Sequence, residues 1–123
     1  MGASMAGRNY RDLIAWQKAM ELTVEVYRAT SKYPAGERFG LQSQMRSAAV
    51  SVPSNIAEGQ GRRSPGAFCQ HLSIAHGSVR ELETQVLLSG MLGYLEPKVV
   101  EHLLSGLSEV GRLTTALSAS LKE

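Results

Sequence analysis

Ser51, Ser54, Asn55 and Glu58 gather two hydroxyls, an amide and a carboxylate into two turns of chain, the raw material of a hydrolytic site. A serine nucleophile needs a base within hydrogen-bond reach, ordinarily a histidine oriented by a third group. The three histidines are His71, His76 and His102, none of them near these serines in sequence. Gly40, Ser43, Ser47, Ser51 and Ser54 follow one another at steps of 3, 4, 4 and 3, a stripe of small residues that lets another helix approach closely. Ser47 and Ser51 can also back-bond to carbonyls one turn earlier. Asn55 and Glu58 stand three apart and can meet on one helix face. They read as a structural polar network, with Arg80 as a partner for Glu58; the alternative is a ligand site at a bundle or subunit interface.

Gly59, Gln60 and Gly61 run into Arg62 and Arg63, just ahead of Ser64 and Pro65. A glycine-rich turn beside a helix N-terminus can attract phosphate. Phosphate loops of the known types follow a strand, however, and here a helical pattern precedes the glycines. The segment therefore reads as a solvated turn with two exposed arginines, and no cofactor is expected. No metal site is expected either. His71 and His76 are five apart, about 140° around a helix, and Cys69 and His76 share a face roughly 10 Å apart. Cys69 reads as a small packing residue, the two histidines as residues at the edge of an interface, and His102 as a surface residue.

Composition narrows the remaining choices. A chain of 123 residues with 43% apolar, 20% charged and 6% aromatic residues can build one helical core filled with aliphatic side chains. The lone cysteine forms no internal disulfide, and no apolar run approaches the roughly 18 residues of a membrane span, so a cytoplasmic protein without membrane contact is expected. The formal net charge is +2. From Arg38 to Arg80 the ionic residues are Arg38, Arg46, Arg62, Arg63 and Arg80 against Glu58, whereas acids predominate beyond Glu81. Those five arginines are the candidate contacts to nucleic-acid phosphates.

Four helical patterns would position these residues. Leu13, Trp16, Met20, Val24 and Tyr27 define a first apolar face, with Asp12 as its cap and Lys32, Tyr33 and Pro34 as its end. A second helix from Glu37 buries Leu41, Met45, Ala48, Val52 and Ile56, and the unbroken phase across Pro53 predicts one helix bent there rather than two. Ser64 and Pro65 open a third, with Phe68, Leu72, Ala75, Val79, Leu82 and Val86 inward. Pro97 opens a fourth, with Val100, Leu103, Leu107, Val110, Thr114, Leu117 and Leu121 inward. Short connections make this an all-α, antiparallel up-down-up-down four-helix bundle spanning residues 10–123, with residues 1–9 set aside as a disordered leader or cloning remnant. Ile14, Val26, Ile74, Leu88 and Leu95 fall outside these faces. That surplus predicts self-association, for which a head-to-tail ring is one closed solution.

Arg38-Phe39-Gly40-Leu41, the run Ser51-Val52-Pro53-Ser54-Asn55-Ile56-Ala57-Glu58-Gly59, Leu72-Ser73-Ile74-Ala75 and Arg80-Glu81-Leu82-Glu83-Thr84-Gln85 resemble a known family. It comprises the bacterial four helix bundle proteins encoded in intervening sequences of 23S ribosomal RNA genes. The resemblance covers about residues 10–95, and its specific centre holds Pro53, Asn55, Glu58 and Gly59. It implies a four-helix bundle that assembles as a homopentamer without known catalysis. A related branch, the accessory variability determinants of diversity-generating retroelements, forms a basic pentameric barrel that binds nucleic acid and a reverse transcriptase; this chain is closer to neutral. Two functions of different class follow as expectations. One is an oligomeric accessory that binds structured RNA or DNA; the other is a protein-interaction scaffold without nucleic acid.

Overall fold

The computed structural model describes residues 9–122. The leader expected at residues 1–9 lies outside that range except for Asn9, whose side chain accepts a hydrogen bond from the Arg11 amide and so caps a short 3-10 turn, Tyr10–Asp12. Four α-helices follow: α1 (Ile14–Thr30), α2 (Leu41–Gly61), α3 (Pro65–Met91) and α4 (Pro97–Leu121). No strand occurs among the described residues, and the chain is all-α.

Side-chain contacts give the helix directions. Along α1 and α2, Thr30 meets Gln42, Tyr27 meets Arg46 and Thr23 meets Ala49, so the numbers fall on one helix as they rise on the other. Met45 meets Ser89, Ser51 meets Ser78 and Asn55 meets His71 between α2 and α3. Cys69 touches Ser118 across α3 and α4, and Glu25 touches His102 across α1 and α4. Each helix packs on two neighbours, and the diagonal pairs α1 with α3 and α2 with α4 make no close backbone contact among the described residues.

The inward faces predicted for α2 and α3 are buried throughout, and that of α4 is buried at Leu103, Leu107, Val110 and Thr114 and partly buried at its ends. For α1 the face differs. Met20, Val24 and Tyr27 are 40%, 46% and 42% exposed, whereas Ala15, Ala19, Leu22, Val26 and Thr30 line the core. Periodicity locates the most hydrophobic stripe of a helix, and on α1 that stripe meets the core only at its start, where Leu13 is buried and Trp16 packs against the core; from Met20 onward it faces outward while a stripe rich in alanine meets the bundle. Two smaller assignments change as well. Val26 and Leu95, expected outside the core, are buried in it, while Ile14, Ile74 and Leu88 are exposed.

The helix ends follow from local chemistry. Asp12 does not cap α1; it lies in the 3-10 turn, and Leu13 stands at the N-cap without a side-chain bond. Ser64 caps α3 by accepting from the Ala67 amide at 3.3 Å, and Pro65 and Pro97 occupy first helical positions as their missing N–H allows. The second helix begins at Leu41 rather than Glu37. Glu37 instead folds its carboxylate over that start, Oε1 accepting from the Leu41 amide at 3.0 Å and Oε2 from the Tyr94 hydroxyl at 2.9 Å. Both bonds favour the ionised carboxylate, the Leu41 amide foremost, and hold the Glu37 pKa below its ordinary value. A Cβ on Gly40 would sit 2.8 Å from Oε1, so the residue before α2 has to be small for the clasp to close.

Candidate functional site

Pro53 lies within α2, which runs without interruption to Gly61. Proline has no N–H for the carbonyl four residues earlier, and that carbonyl is Ala49. The Thr23 hydroxyl of α1 shares its one proton between its own helix's Ala19 carbonyl at 2.7 Å and the Ala49 carbonyl at 3.1 Å. An acceptor that a buried helix would otherwise leave unmet is thus served from the neighbouring helix. Thr23 carries no sequence signal for this role, because its partner is defined only by a proline thirty positions along a different helix.

Around Asn55 the serines form a chain of polar contacts. Ser78 and Ser51 share a hydroxyl bond of 2.9 Å, Asn55 Nδ2 donates to the Ser51 carbonyl at 2.9 Å and reaches Ser51 Oγ at 3.1 Å, and Asn55 Oδ1 lies 3.0 Å from His71 Nδ1. The Ser51 carbonyl can only accept, which fixes the amide with Oδ1 towards His71 and places the proton of that bond on Nδ1. His71 is therefore the partner of Asn55, and the separation across the α2 to α3 turn hid it from sequence reasoning. Glu58 stands outside this network and faces solvent, and Arg80 does not reach it but pairs with Glu83 at 3.1 Å. Ser51 bonds sideways to Ser78 rather than backward to a carbonyl of α2.

This arrangement ties helices together and does not activate a nucleophile. The Asn55 amide stands between the Ser51 hydroxyl and the His71 ring, so no base takes the serine proton. Gly59 completes the junction. A Cβ there would lie 2.7 Å from His71 Cβ and 2.8 Å from a ring carbon of Phe68, so a glycine is what allows α2 and α3 to meet where the motif ends. Since Gly59, Gln60 and Gly61 are the last turn of α2 and not a loop, the backbone is not arranged to cradle a phosphate. Among the described residues no three His, Cys, Asp or Glu side chains are grouped to hold a metal ion.

The five arginines fall in four places. Arg46 is engaged within the chain: its guanidinium lies 4.6 Å from the Tyr27 ring centroid, with Nε donating to Thr30 Oγ1 at 2.9 Å and Nη2 to the Tyr27 carbonyl at 3.1 Å. Arg80 lines an open groove of about 420 Å³ between α3 and α4, beside His76, Glu83 and Arg112. Arg38 lies before the start of α2, at the opposite end of that helix from Arg62 and Arg63, about 30 Å away at 1.5 Å per residue. The five do not form one patch on a single bundle. Arg62 and Arg63 alone stand side by side, both exposed. Arg63 holds a left-handed backbone with φ of 60°, in the position after a helix C-cap that glycine normally fills.

Comparison with known proteins accounts for the motif. The sequence model of the 23S rRNA-intervening sequence protein family matches residues 11–116. The chain belongs to that family. Among solved structures it is similar to a protein of unknown function from the S23 ribosomal protein family of Bacteroides thetaiotaomicron, with a TM-score of 0.77 at 20% identity over 85% of this chain and 98% of that one. At that identity the likeness shows the fold. No curated protein matches significantly. In this member of the 23S rRNA-intervening sequence family, Pro53, Asn55 and Gly59 each answer to a contact of α2 with α1 or α3, so helix packing accounts for three of the four residues at the specific centre of the resemblance, and Glu58, which faces solvent, is the one it leaves over. No described helix is long and apolar enough to cross a membrane.

Proposed function

We propose that this protein assembles with copies of itself into a closed ring, a homopentamer as the family resemblance implies, and serves as a non-enzymatic cytoplasmic accessory that binds structured RNA or DNA. Self-association is supported by the apolar residues left outside the core, among them Met20, Val24 and Tyr27 on α1, Val50 on α2 and Ile74 on α3. Met20, Val24 and Tyr27 follow one another along one face of α1, and an apolar stripe left open to solvent points to an interaction surface where scattered single residues do not. Nucleic-acid contact is carried by one observation: the exposed Arg62–Arg63 pair, with Arg63 occupying a left-handed position where glycine is the less strained choice. A residue kept at a conformational cost points to a use for its side chain.

Light scattering on the full chain tests the assembly and should give a mass several times that of one chain. Anisotropy with a structured ribosomal RNA fragment tests the binding. Affinity should fall steeply with salt, by about one log-log unit per phosphate neutralised, and reversal of both charges in R62E/R63E should abolish it. The scaffold reading is favoured by the engagement of Arg46 and Arg80 within the chain. Under that reading the double reversal leaves RNA binding, if any, unchanged, and a protein partner is captured instead.

A further inference from the structure

Phe39 is 90% exposed, more than any other large apolar side chain among the described residues, and it sits on the short segment that leads into α2 with the Arg38 guanidinium 5.8 Å from its ring centroid. At the same end of the bundle, where α3 finishes and α4 begins, Leu87, Met91, Val100 and Leu104 line an open apolar hollow of about 480 Å³ with Glu101 at its edge. The common height is fixed by the Glu37 clasp, which bonds the approach to α2 to Tyr94 in the α3 to α4 connection. Gly90 forms part of the wall: a Cβ there would lie 2.9 Å from Val100, so the glycine lets α3 and α4 close behind the hollow. Met91, on its rim, is 85% exposed.

We infer that the hollow receives Phe39 of a second copy of this chain, with Arg38 of that copy set against Glu101. The inference rests on the self-association proposed above and adds one contact through which it is made. An exposed aromatic ring and an apolar recess are complementary in kind, and the flanking charges are opposite, Arg38 beside the ring and Glu101 beside the recess. Ring and recess are different surfaces of one chain, so the contact is head-to-tail. Both lie at one end of the bundle, so the contact needs little displacement along the bundle axis from one copy to the next, as a closed ring requires. Arg62 and Arg63 of every copy then fall on the opposite rim.

Two variants separate the halves of the contact: F39A removes the ring, and M91E places a charge in the recess. Both positions are exposed, and an unchanged helical content by far-ultraviolet circular dichroism will show that each bundle still folds. Wild-type chain should scatter as an oligomer, each variant alone should show a dissociation constant raised about tenfold or more, and an equimolar mixture should yield one-to-one dimers by native mass spectrometry. Only the ring of M91E and the recess of F39A remain to meet in that mixture. R38E and E101R should each weaken assembly, and the double reversal should restore it. If wild-type chain is oligomeric and both F39A and M91E keep its mass and stability, this contact is wrong while self-association stands. A monomeric wild-type chain overturns both.

Discussion

An alanine at position 59 would put its methyl against His71 and Phe68 at distances real side chains do not tolerate, with the turn to α3 only a few residues away to absorb the shift. Gly59→Ala should therefore cost about 1–3 kcal/mol, read as a fall in the thermal midpoint. Thr23 and Pro53 make a sharper case because one supplies what the other lacks. Thr23→Val keeps the shape and removes the hydroxyl, leaving the Ala49 carbonyl short of a donor at a cost of about 1–3 kcal/mol. In a Pro53→Ala background the helix regains the amide that bonds Ala49, so the same Thr23 change should cost less. Chemical denaturation of the four proteins of that cycle should give a coupling of about 1 kcal/mol, and strict additivity would refute the pairing. Asn55 announced a network through its spacing, yet its partner His71 did not, since contacts across a turn leave no periodic trace.

The helices differ in how openly the chain declares them. For α2, α3 and α4 the hydrophobic stripe and the buried stripe coincide, because their Leu, Val and Ile residues meet the core. On α1 the core side is built from Ala15, Ala19 and Thr30 beside Leu22 and Val26, and the richer stripe of Met20, Val24 and Tyr27 turns away. Amphipathicity reports where apolar side chains are, and a chain that meets a second copy has two places to put them. At the start of α2, Glu37 has the character of a first-turn residue but works from outside the helix as a carboxylate clasp. Its depressed pKa gives the sign of a pH effect. The clasp is fully effective above the ordinary carboxylate value of 4.5 and is lost as the pH falls through the lower folded value. The melting temperatures of wild type and Glu37→Gln should differ at neutral pH and converge in acid. Tyr94, whose pKa is raised chiefly by the bond to Glu37, keeps its proton and the bond through the neutral range and loses both in alkali.

The surfaces proposed for assembly and for binding lie at opposite ends of the bundle, about 30 Å apart along α2, so binding should be removable without loss of assembly. R62E/R63E changes exposed residues far from Phe39 and the recess at Met91, so the oligomer should keep its mass while RNA affinity is lost. F39A leaves both arginines in place and should weaken RNA binding for a different reason. A ring presents its arginine pairs together, and once one pair is bound the others act at high effective concentration, a gain that vanishes when the ring falls apart. The salt dependence distinguishes the two losses. In F39A the log-log slope should shrink in proportion to the pairs no longer engaged at once, whereas any residual binding by R62E/R63E should be weak and nearly insensitive to salt. Arg63→Gly offers a third view. Relief of the left-handed backbone should leave the fold intact or stabilise it by about 0.5–1 kcal/mol, while removal of one charge per copy should lower RNA affinity. Such a variant, more stable and less able to bind, would assign the strained arginine to function. A variant that melts higher and binds RNA as tightly as wild type would leave Arg63 without a role at that rim.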